Sequence, residues 1–187
     1  HLTVLYVDAS ADPEEGVSEL LLKLPVAIGT DGIVSAFSKI FGNQQLAVQT
    51  QFHIAESYFE LFKNNLKLER DAESEQALKA GRRVLQEIMV DYPDPKYLPR
   101  IAYLSGQFSQ ELKDWNEAAN SYVLIVRQYP NHTLAADAQY KLAQCYEEAN
   151  DFDRALEEYV TLAATYPKSP LIPHVMIRIN EYFYKRE

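Results

Sequence analysis

Apolar side chains recur along residues 78–167 in a pattern that repeats every 37 residues. Within each copy they fall at offsets 0, 3, 7, 10, 11 and 14, a spacing that places them on one face of an α-helix. The copies are Leu78, Gly81, Leu85, Ile88, Met89 and Tyr92; Trp115, Ala118, Tyr122, Ile125, Val126 and Tyr129; and Phe152, Ala155, Tyr159, Leu162, Ala163 and Tyr166. The period predicts a solenoid, in which each unit buries its apolar face only by stacking on its neighbours.

Each copy closes with a Tyr-Pro pair, at residues 92–93, 129–130 and 166–167. Because proline disfavours the α conformation of the residue before it, these pairs predict the end of each helix. Asp114 and Asp151 stand directly before Trp115 and Phe152 and suit the N-cap of the helix that follows. Glu117 is spaced to complete a capping box with Asp114.

The start of each following unit carries a second signal. Asp94-Pro95 and Ser169-Pro170 have the form of a cap residue followed by proline at the first helical position, and Asn131 stands at the corresponding place in the middle copy. These pairs therefore predict that helices begin at residues 95 and 170.

The spacing of small and aromatic residues carries a family resemblance. Residues 136–167 resemble a tetratricopeptide repeat, a unit of about 34 residues that forms two antiparallel helices. The matching residues are Leu142, Ala143 and Tyr146 in the first helix, and Ala155, Tyr159 and Pro167 in the second. The preceding unit keeps Gly106, Ala118, Tyr122 and Pro130, but has Ser105 and Ser109 where the family has larger residues. The 37-residue step and the Tyr-Pro ending are similar to the bacterial cell-envelope branch, such as the periplasmic Tol-Pal coordinator and the outer-membrane-protein assembly lipoproteins.

The predicted fold is all-α, a right-handed superhelical solenoid of antiparallel helix hairpins. Residues 1–44 are expected to form an N-terminal arm and a divergent helical pair that caps the solenoid. Residues 45–187 are divided into units 45–93, 94–130 and 131–167 and a half unit 168–187. The first unit has 14 extra residues, since Tyr58 and Gly81 are 23 apart whereas Tyr146 and Ala155 are 9 apart. Its polar run 63–75 predicts a solvated hairpin extension or lengthened helix ends, or alternatively a spur that binds a partner.

The C-terminal half unit predicts one helix over residues 171–184. Its apolar face, formed by Ile172, Val175, Ile179 and Phe183, lacks a following helix within the sequence. We expect the protein either to continue with further repeats or to pack this face against another subunit, which would allow self-association.

Composition and charge exclude several kinds of function. The net charge of −9 and pI of about 5.0 disfavour sequence-independent nucleic-acid binding, which needs clustered Lys and Arg. The single cysteine, Cys145, excludes an internal disulfide framework, and its place within an apolar helix predicts a buried thiol. The sequence has no apolar run of about 18 residues, so no transmembrane helix is predicted. The envelope resemblance implies the periplasm or the inner face of the outer membrane, with the cytoplasm as the alternative.

No set of residues predicts catalysis, a cofactor or a metal site. The four histidines are far apart and lack neighbouring ligands at metal-binding spacing. There is neither a glycine-rich phosphate loop nor a nucleophile elbow, and the pairs Glu147-Glu148 and Glu157-Glu158 point about 100° apart on their helices. The chain is therefore predicted not to be an enzyme.

The family resemblance implies a binding surface, because first helices of successive tetratricopeptide repeats line a concave groove. Aligned on Ala55, Gly106 and Ala143, the implied groove residues are Gln49, Phe52, Glu56, Phe59 and Glu60; Arg100, Tyr103, Gln107, Gln110 and Glu111; and Asp137, Tyr140, Gln144, Glu147 and Glu148. The strongest candidates are Phe52, Glu56, Phe59, Arg100, Tyr103, Gln107, Tyr140, Gln144, Glu147 and Glu148. Their aromatic rings either bury apolar side chains of a ligand or pack on neighbouring repeats, and both interpretations remain open.

The sequence thus predicts a non-catalytic scaffold that binds a protein or peptide with a basic or apolar segment, in a bacterial envelope assembly. The alternatives are a cytoplasmic adaptor or co-chaperone module and the repeat region of a larger enzyme complex.

Overall fold

The computed structural model describes residues 44–91 and 96–184, and all regular structure in those stretches is helical. In chain order the helices are α1 Gln44–Lys67, α2 Asp71–Asp91, α3 Leu98–Glu111, α4 Trp115–Gln128, α5 Ala135–Glu148, α6 Phe152–Thr165 and α7 Ile172–Tyr184. Each helix packs against the next one along the chain. The all-α solenoid of helix hairpins is confirmed. The N-terminal arm and helical pair predicted for residues 1–44 lie, apart from Gln44, outside the described residues.

The 37-residue step governs the helix boundaries. The first helices α3, α5 and α7 begin at residues 98, 135 and 172, and the second helices α4 and α6 begin at 115 and 152. Helices α2, α4 and α6 end at residues 91, 128 and 165. The repeat in the sequence is therefore a repeat of helices.

The core is built from the middle offsets of the predicted pattern. Leu85, Tyr122 and Tyr159, at offset 7, are fully buried, as are Ile88, Ile125 and Leu162 at offset 10. Offset 0 behaves differently, because Leu78 is buried, Trp115 is half-buried and Phe152 is 49% exposed. The pattern identified the helix face correctly but not how far its first position is covered.

The extra residues of the first unit lengthen its two helices. Helix α1 has 24 residues and α2 has 21, whereas α3, α4, α5 and α6 have 14 each. Most side chains of the polar run 63–75 are exposed. The structure therefore confirms one of the predicted alternatives, the lengthened helix ends.

The turns inside the hairpins share one backbone geometry. Glu69, Lys113 and Asn150 each have a positive φ, between 56° and 60°, one residue before the next helix or its cap. Lys113 N–H donates to the Gln110 carbonyl and Asp114 N–H to the Ser109 carbonyl, which closes a Schellman motif. The turn after α5 repeats both bonds 37 residues later. This left-handed residue satisfies the last carbonyls of the first helix.

The predicted N-caps form, but the capping box does not. Asp114 accepts the Glu117 N–H at 3.4 Å, and Asp151 accepts the Arg154 N–H at 3.2 Å. The Asp114 N–H, which the box would have joined to the Glu117 side chain, already donates to Ser109. Because this N–H already donates within the Schellman motif, the predicted capping box does not form, and that prediction was wrong.

Two of the Tyr-Pro pairs end second helices as predicted, and the pair at residues 92–93 lies outside the described residues. Helices α4 and α6 stop one residue before Tyr129 and Tyr166, whose φ angles of −131° and −122° lie outside the helical range. The prediction that a helix begins at Pro170 was wrong. Helix α7 begins at Ile172, and Ser169-Pro170 belong to the turn before it. Ser169 Oγ there accepts the Leu171 N–H at 3.2 Å. Asp94 and Pro95 lie outside the described residues.

Packing against α6 covers part of the apolar face of α7 that the sequence analysis left without a partner. Val175 is fully buried, and Ile172 and Ile179 pack with it against α6. The expectation that all four residues await cover was therefore wrong for Val175, whereas Ile172 and Ile179 are only partly covered. Phe183 remains 59% exposed, and Ile179 is only half-buried.

Glycines admit aromatic rings between successive helices. A Cβ on Gly81 would lie 2.3 Å from Phe108 Cζ and 2.9 Å from Tyr58 Cβ, and one on Gly106 would lie 2.6 Å from Tyr122 Cζ. Phe108 and Tyr122 are fully buried, so neither ring can move aside without disturbing the core. Gly81 is thus the position through which α2 receives Phe108 of the next unit.

We expect Gly81→Ala to lower the free energy of unfolding by about 1–3 kcal/mol, because overpacking outweighs the better helix propensity of alanine. Urea denaturation monitored by circular dichroism measures the change. Combining it with Phe108→Leu, which shortens the clashing ring, should cost less than the sum of the single changes. An increase in stability from Gly81→Ala alone would contradict the interpretation.

Candidate partner-binding groove

Side chains at two of the predicted groove positions, Arg100 and Glu56, are brought together between successive first helices. Arg100 of α3 lies 3.7 Å from the Glu56 carboxylate of α1, and its guanidinium stands 4.7 Å over the Phe52 ring. Arg178 of α7 lies 3.7 Å from the Glu147 carboxylate of α5. Side chains of alternate helices therefore meet on one surface.

Two half-buried tyrosines occupy equivalent positions on this surface. Tyr103 packs edge-on against Tyr122, and Tyr140 packs against Tyr159, each with ring centroids 5.7 Å apart. Burial, and after it the nearby Asp137 carboxylate, raises the pKa of Tyr103. Both rings thus rest on the core of their own unit while part of each stays accessible.

The phenylalanines of the first unit are more deeply placed. Phe52 is 6% exposed and Phe59 is 8% exposed. The Phe59 ring meets Phe108 at a centroid distance of 5.0 Å and an angle of 69°. These two rings contribute to the core of the first unit, as the packing interpretation predicts, and present little surface to a partner.

Glu147 is the most enclosed of the predicted acidic residues, with a side chain 15% exposed. Its carboxylate accepts hydrogen bonds from Tyr159 Oη at 2.8 Å and from Tyr182 Oη at 2.5 Å. Burial and these hydrogen bonds raise the pKa of both tyrosines. Glu147 therefore ties α5 to both α6 and α7.

The remaining candidates are more accessible. Gln107 and Gln144 are half-buried, and Glu148 is exposed. Six of the fifteen groove positions are acidic and only Arg100 is basic; the acids are Glu56, Glu60, Glu111, Asp137, Glu147 and Glu148. Glu111, Asp137 and Glu148 are exposed and form no ion pair with the described residues. The groove therefore carries uncompensated negative charge beside its two tyrosines.

Sequence reasoning missed two residues that complete the surface. Arg178 and Tyr182 of α7 meet Glu147, although neither was singled out. The 37-residue step did not indicate them, because the equivalent residues of α5, Lys141 and Cys145, are not groove positions.

A separate cleft of about 640 Å³ lies between the loops that join the units. Its lining includes Pro130, His132, Asp137, Tyr166 and Lys168. Tyr166 Oη crosses from one unit to the other to donate to the Pro130 carbonyl at 3.0 Å. The cleft meets the groove at Asp137.

Within residues 44–91 and 96–184, no three His, Cys, Asp or Glu side chains are placed to hold a metal ion. No helix in the same stretches is sufficiently long and apolar to cross a membrane.

The buried thiol predicted at Cys145 is confirmed. Its side chain is fully buried, and burial raises the pKa of the thiol to about 12. Thiolate is therefore scarce at neutral pH.

The architecture is consistent with a tetratricopeptide-like helical solenoid. Residues 137–169 match the tetratricopeptide repeat family model. The match covers most of α5, all of α6 and the turn before α7, and supports a tetratricopeptide repeat protein. No curated protein matches the chain.

We expect Cys145 to react with a thiol-specific disulfide reagent at pH 8 roughly a hundredfold or more slowly than in the unfolded chain, because it is buried and protonated. Absorbance of the released thiolate, with and without urea, measures both rates. Equal rates would show that Cys145 is accessible in the folded protein.

Proposed function

We propose that this protein is a non-catalytic scaffold that binds a partner protein or peptide through the groove formed by α1, α3, α5 and α7. The observation that supports this proposal most is that half-buried Tyr103 lies near the exposed Asp137 carboxylate, which has no ion-pair partner among the described residues, while Tyr140 packs on its own unit in the same way as Tyr103. Tetratricopeptide repeats are typically non-catalytic interaction modules, which supports the same proposal.

The charge of the groove favours a partner segment that is both basic and apolar. Arg100, the one basic residue at a groove position, is already engaged with Glu56 and Phe52. Members of the family that bind acidic chaperone tails use Lys and Asn in this groove, so that subclass is disfavoured. Lys or Arg of the partner would neutralise Glu111, Asp137 and Glu148 while its apolar side chains cover the tyrosine rings.

We further propose that the scaffold acts in a bacterial envelope assembly, in the periplasm or at the inner face of the outer membrane. The support is the 37-residue step with its Tyr-Pro endings. A cytoplasmic adaptor or co-chaperone module is the second candidate. Affinity capture from the native source, followed by mass spectrometry, distinguishes them, because envelope proteins or cytosolic chaperones would be recovered respectively.

We expect Glu111→Lys and Glu148→Lys each to weaken binding of the captured partner roughly three- to tenfold, because each places a positive charge opposite a basic segment. Both residues are exposed, so the melting temperature should change little. Glu157→Lys makes the same charge change on the exposed surface of the second helix α6 and should leave binding unaltered. Isothermal titration calorimetry at low and high salt measures all three; equal effects would contradict a groove-specific role.

The double change Tyr103→Ala and Tyr140→Ala tests the two interpretations of the aromatic rings. If the rings bury partner side chains, the affinity for the partner should fall at least about tenfold, more than the accompanying loss of stability explains. Thermal unfolding and calorimetry on the same samples provide both numbers. A lower melting temperature with unchanged affinity would show that the rings serve packing alone.

A further inference from the structure

The cleft of about 640 Å³ lies between two loops that have the same local structure, one after α4 and one after α6. In the first loop, the His132 N–H donates to the Tyr129 carbonyl at 2.9 Å, and His132 Nδ1 accepts the Leu134 N–H at 3.2 Å. The second loop repeats both bonds 37 residues later, with Ser169 Oγ in place of the imidazole nitrogen. Both walls of the cleft are therefore held by their own hydrogen bonds.

Further constraints fix the two walls relative to each other. Tyr166 Oη of the second loop donates to the Pro130 carbonyl of the first at 3.0 Å. Pro130, Pro167 and Pro170 line the cleft, and each proline ring restricts the backbone angle φ. Because the walls are preformed, little conformational entropy is lost from them when a chain binds between them.

The cleft carries two charges that no ion pair neutralises within residues 44–91 and 96–184. Lys168 of the second loop and Asp137 in the first turn of α5 both line it and are exposed. His132 keeps Nε2–H as a second donor in its neutral form, since Nδ1 accepts from the backbone. In the groove, by contrast, Arg100 is the one basic residue and is engaged with Glu56. The cleft therefore offers donors to an anion, which the acidic groove does not.

We propose that the cleft binds an acidic side chain of the same partner segment whose basic and apolar part lies in the groove. The proposal rests on the proposed function of the groove and adds that the bound segment carries opposite charges at its two ends. Asp137 belongs to both the groove and the cleft, so one extended chain can pass from one to the other. The carboxylate of that chain pairs with Lys168, and its basic residues pair with Glu111 and Glu148.

Two synthetic peptides of about twelve residues, which span roughly 40 Å when extended, test the proposal. Both are acetylated and amidated, and one half of each alternates lysine with leucine. The other half alternates glycine with glutamate in the first peptide and glycine with glutamine in the second, and each peptide is made with its halves in both orders. We expect the glutamate peptide to bind the unaltered protein at least about fivefold more tightly, as measured by fluorescence anisotropy. Non-specific attraction predicts the reverse, because the protein has a net charge of −9 and the glutamine peptide is more positive.

Variants of Lys168 assign the preference to the cleft. Lys168→Gln should abolish the preference for glutamate, and Lys168→Glu should reverse it. Lys67→Gln makes the same charge change as Lys168→Gln, at an exposed lysine at the end of α1, and should retain the preference. All three substitutions are at exposed positions, so the melting temperature should change little.

The possible outcomes separate the cleft from the groove. Equal binding of the two peptides, or loss of the preference with Lys67→Gln as well, overturns the cleft proposal. The groove function stands in that case if Glu111→Lys and Glu148→Lys still weaken both peptides. If those two changes have no effect while the preference still depends on Lys168, the groove function is overturned and the cleft remains a site for an acidic side chain. Failure of both peptides to bind overturns both.

Discussion

The contact between one hairpin and the first helix of the next is the constraint on which this structure depends. Each pair of helices is too small to enclose its own apolar face, so the rings of one unit must enter the next. Phe108 enters against Gly81, and Tyr166 reaches back to the Pro130 carbonyl. At the positions 37 residues later, Ala118 and Cys145 belong to one core cluster, so the stacking contact recurs with different residues.

This constraint explains why much of the fold could be predicted. Residues at offsets 7 and 10 are buried in every copy, so each copy has an aliphatic or aromatic residue there. The pattern is therefore visible in the sequence. Proline acts on the residue directly before it, which made the ends of α4 and α6 predictable. Features that depend on competing partners were not predictable, as Asp114 shows: the backbone carbonyl of Ser109 accepts its N–H in place of Glu117.

The candidate site was predictable to a lesser extent. The repeat register assigned Arg100 and Glu56 to one surface, where their side chains lie 3.7 Å apart, and Tyr103 and Tyr140 each pack on a tyrosine of the second helix. It could not show that Phe59 is covered, because cover comes from Phe108, a residue of another unit. Whether a groove residue is buried depends on side chains of the next unit, whereas the sequence pattern describes one helix at a time.

The groove and the stacking interface therefore share side chains, which affects how binding and stability can be separated. Tyr140 rests on Tyr159, which donates to Glu147, and Glu147 also accepts from Tyr182, so the network around the ring includes α5, α6 and α7. Glu111 and Glu148, in contrast, are exposed and have no ion pair with the described residues. Side chains in a buried network are strongly coupled, whereas exposed charges are weakly coupled. Substituting the acids would therefore test the proposed binding alone, whereas substituting the tyrosines would change both binding and the stability of the solenoid.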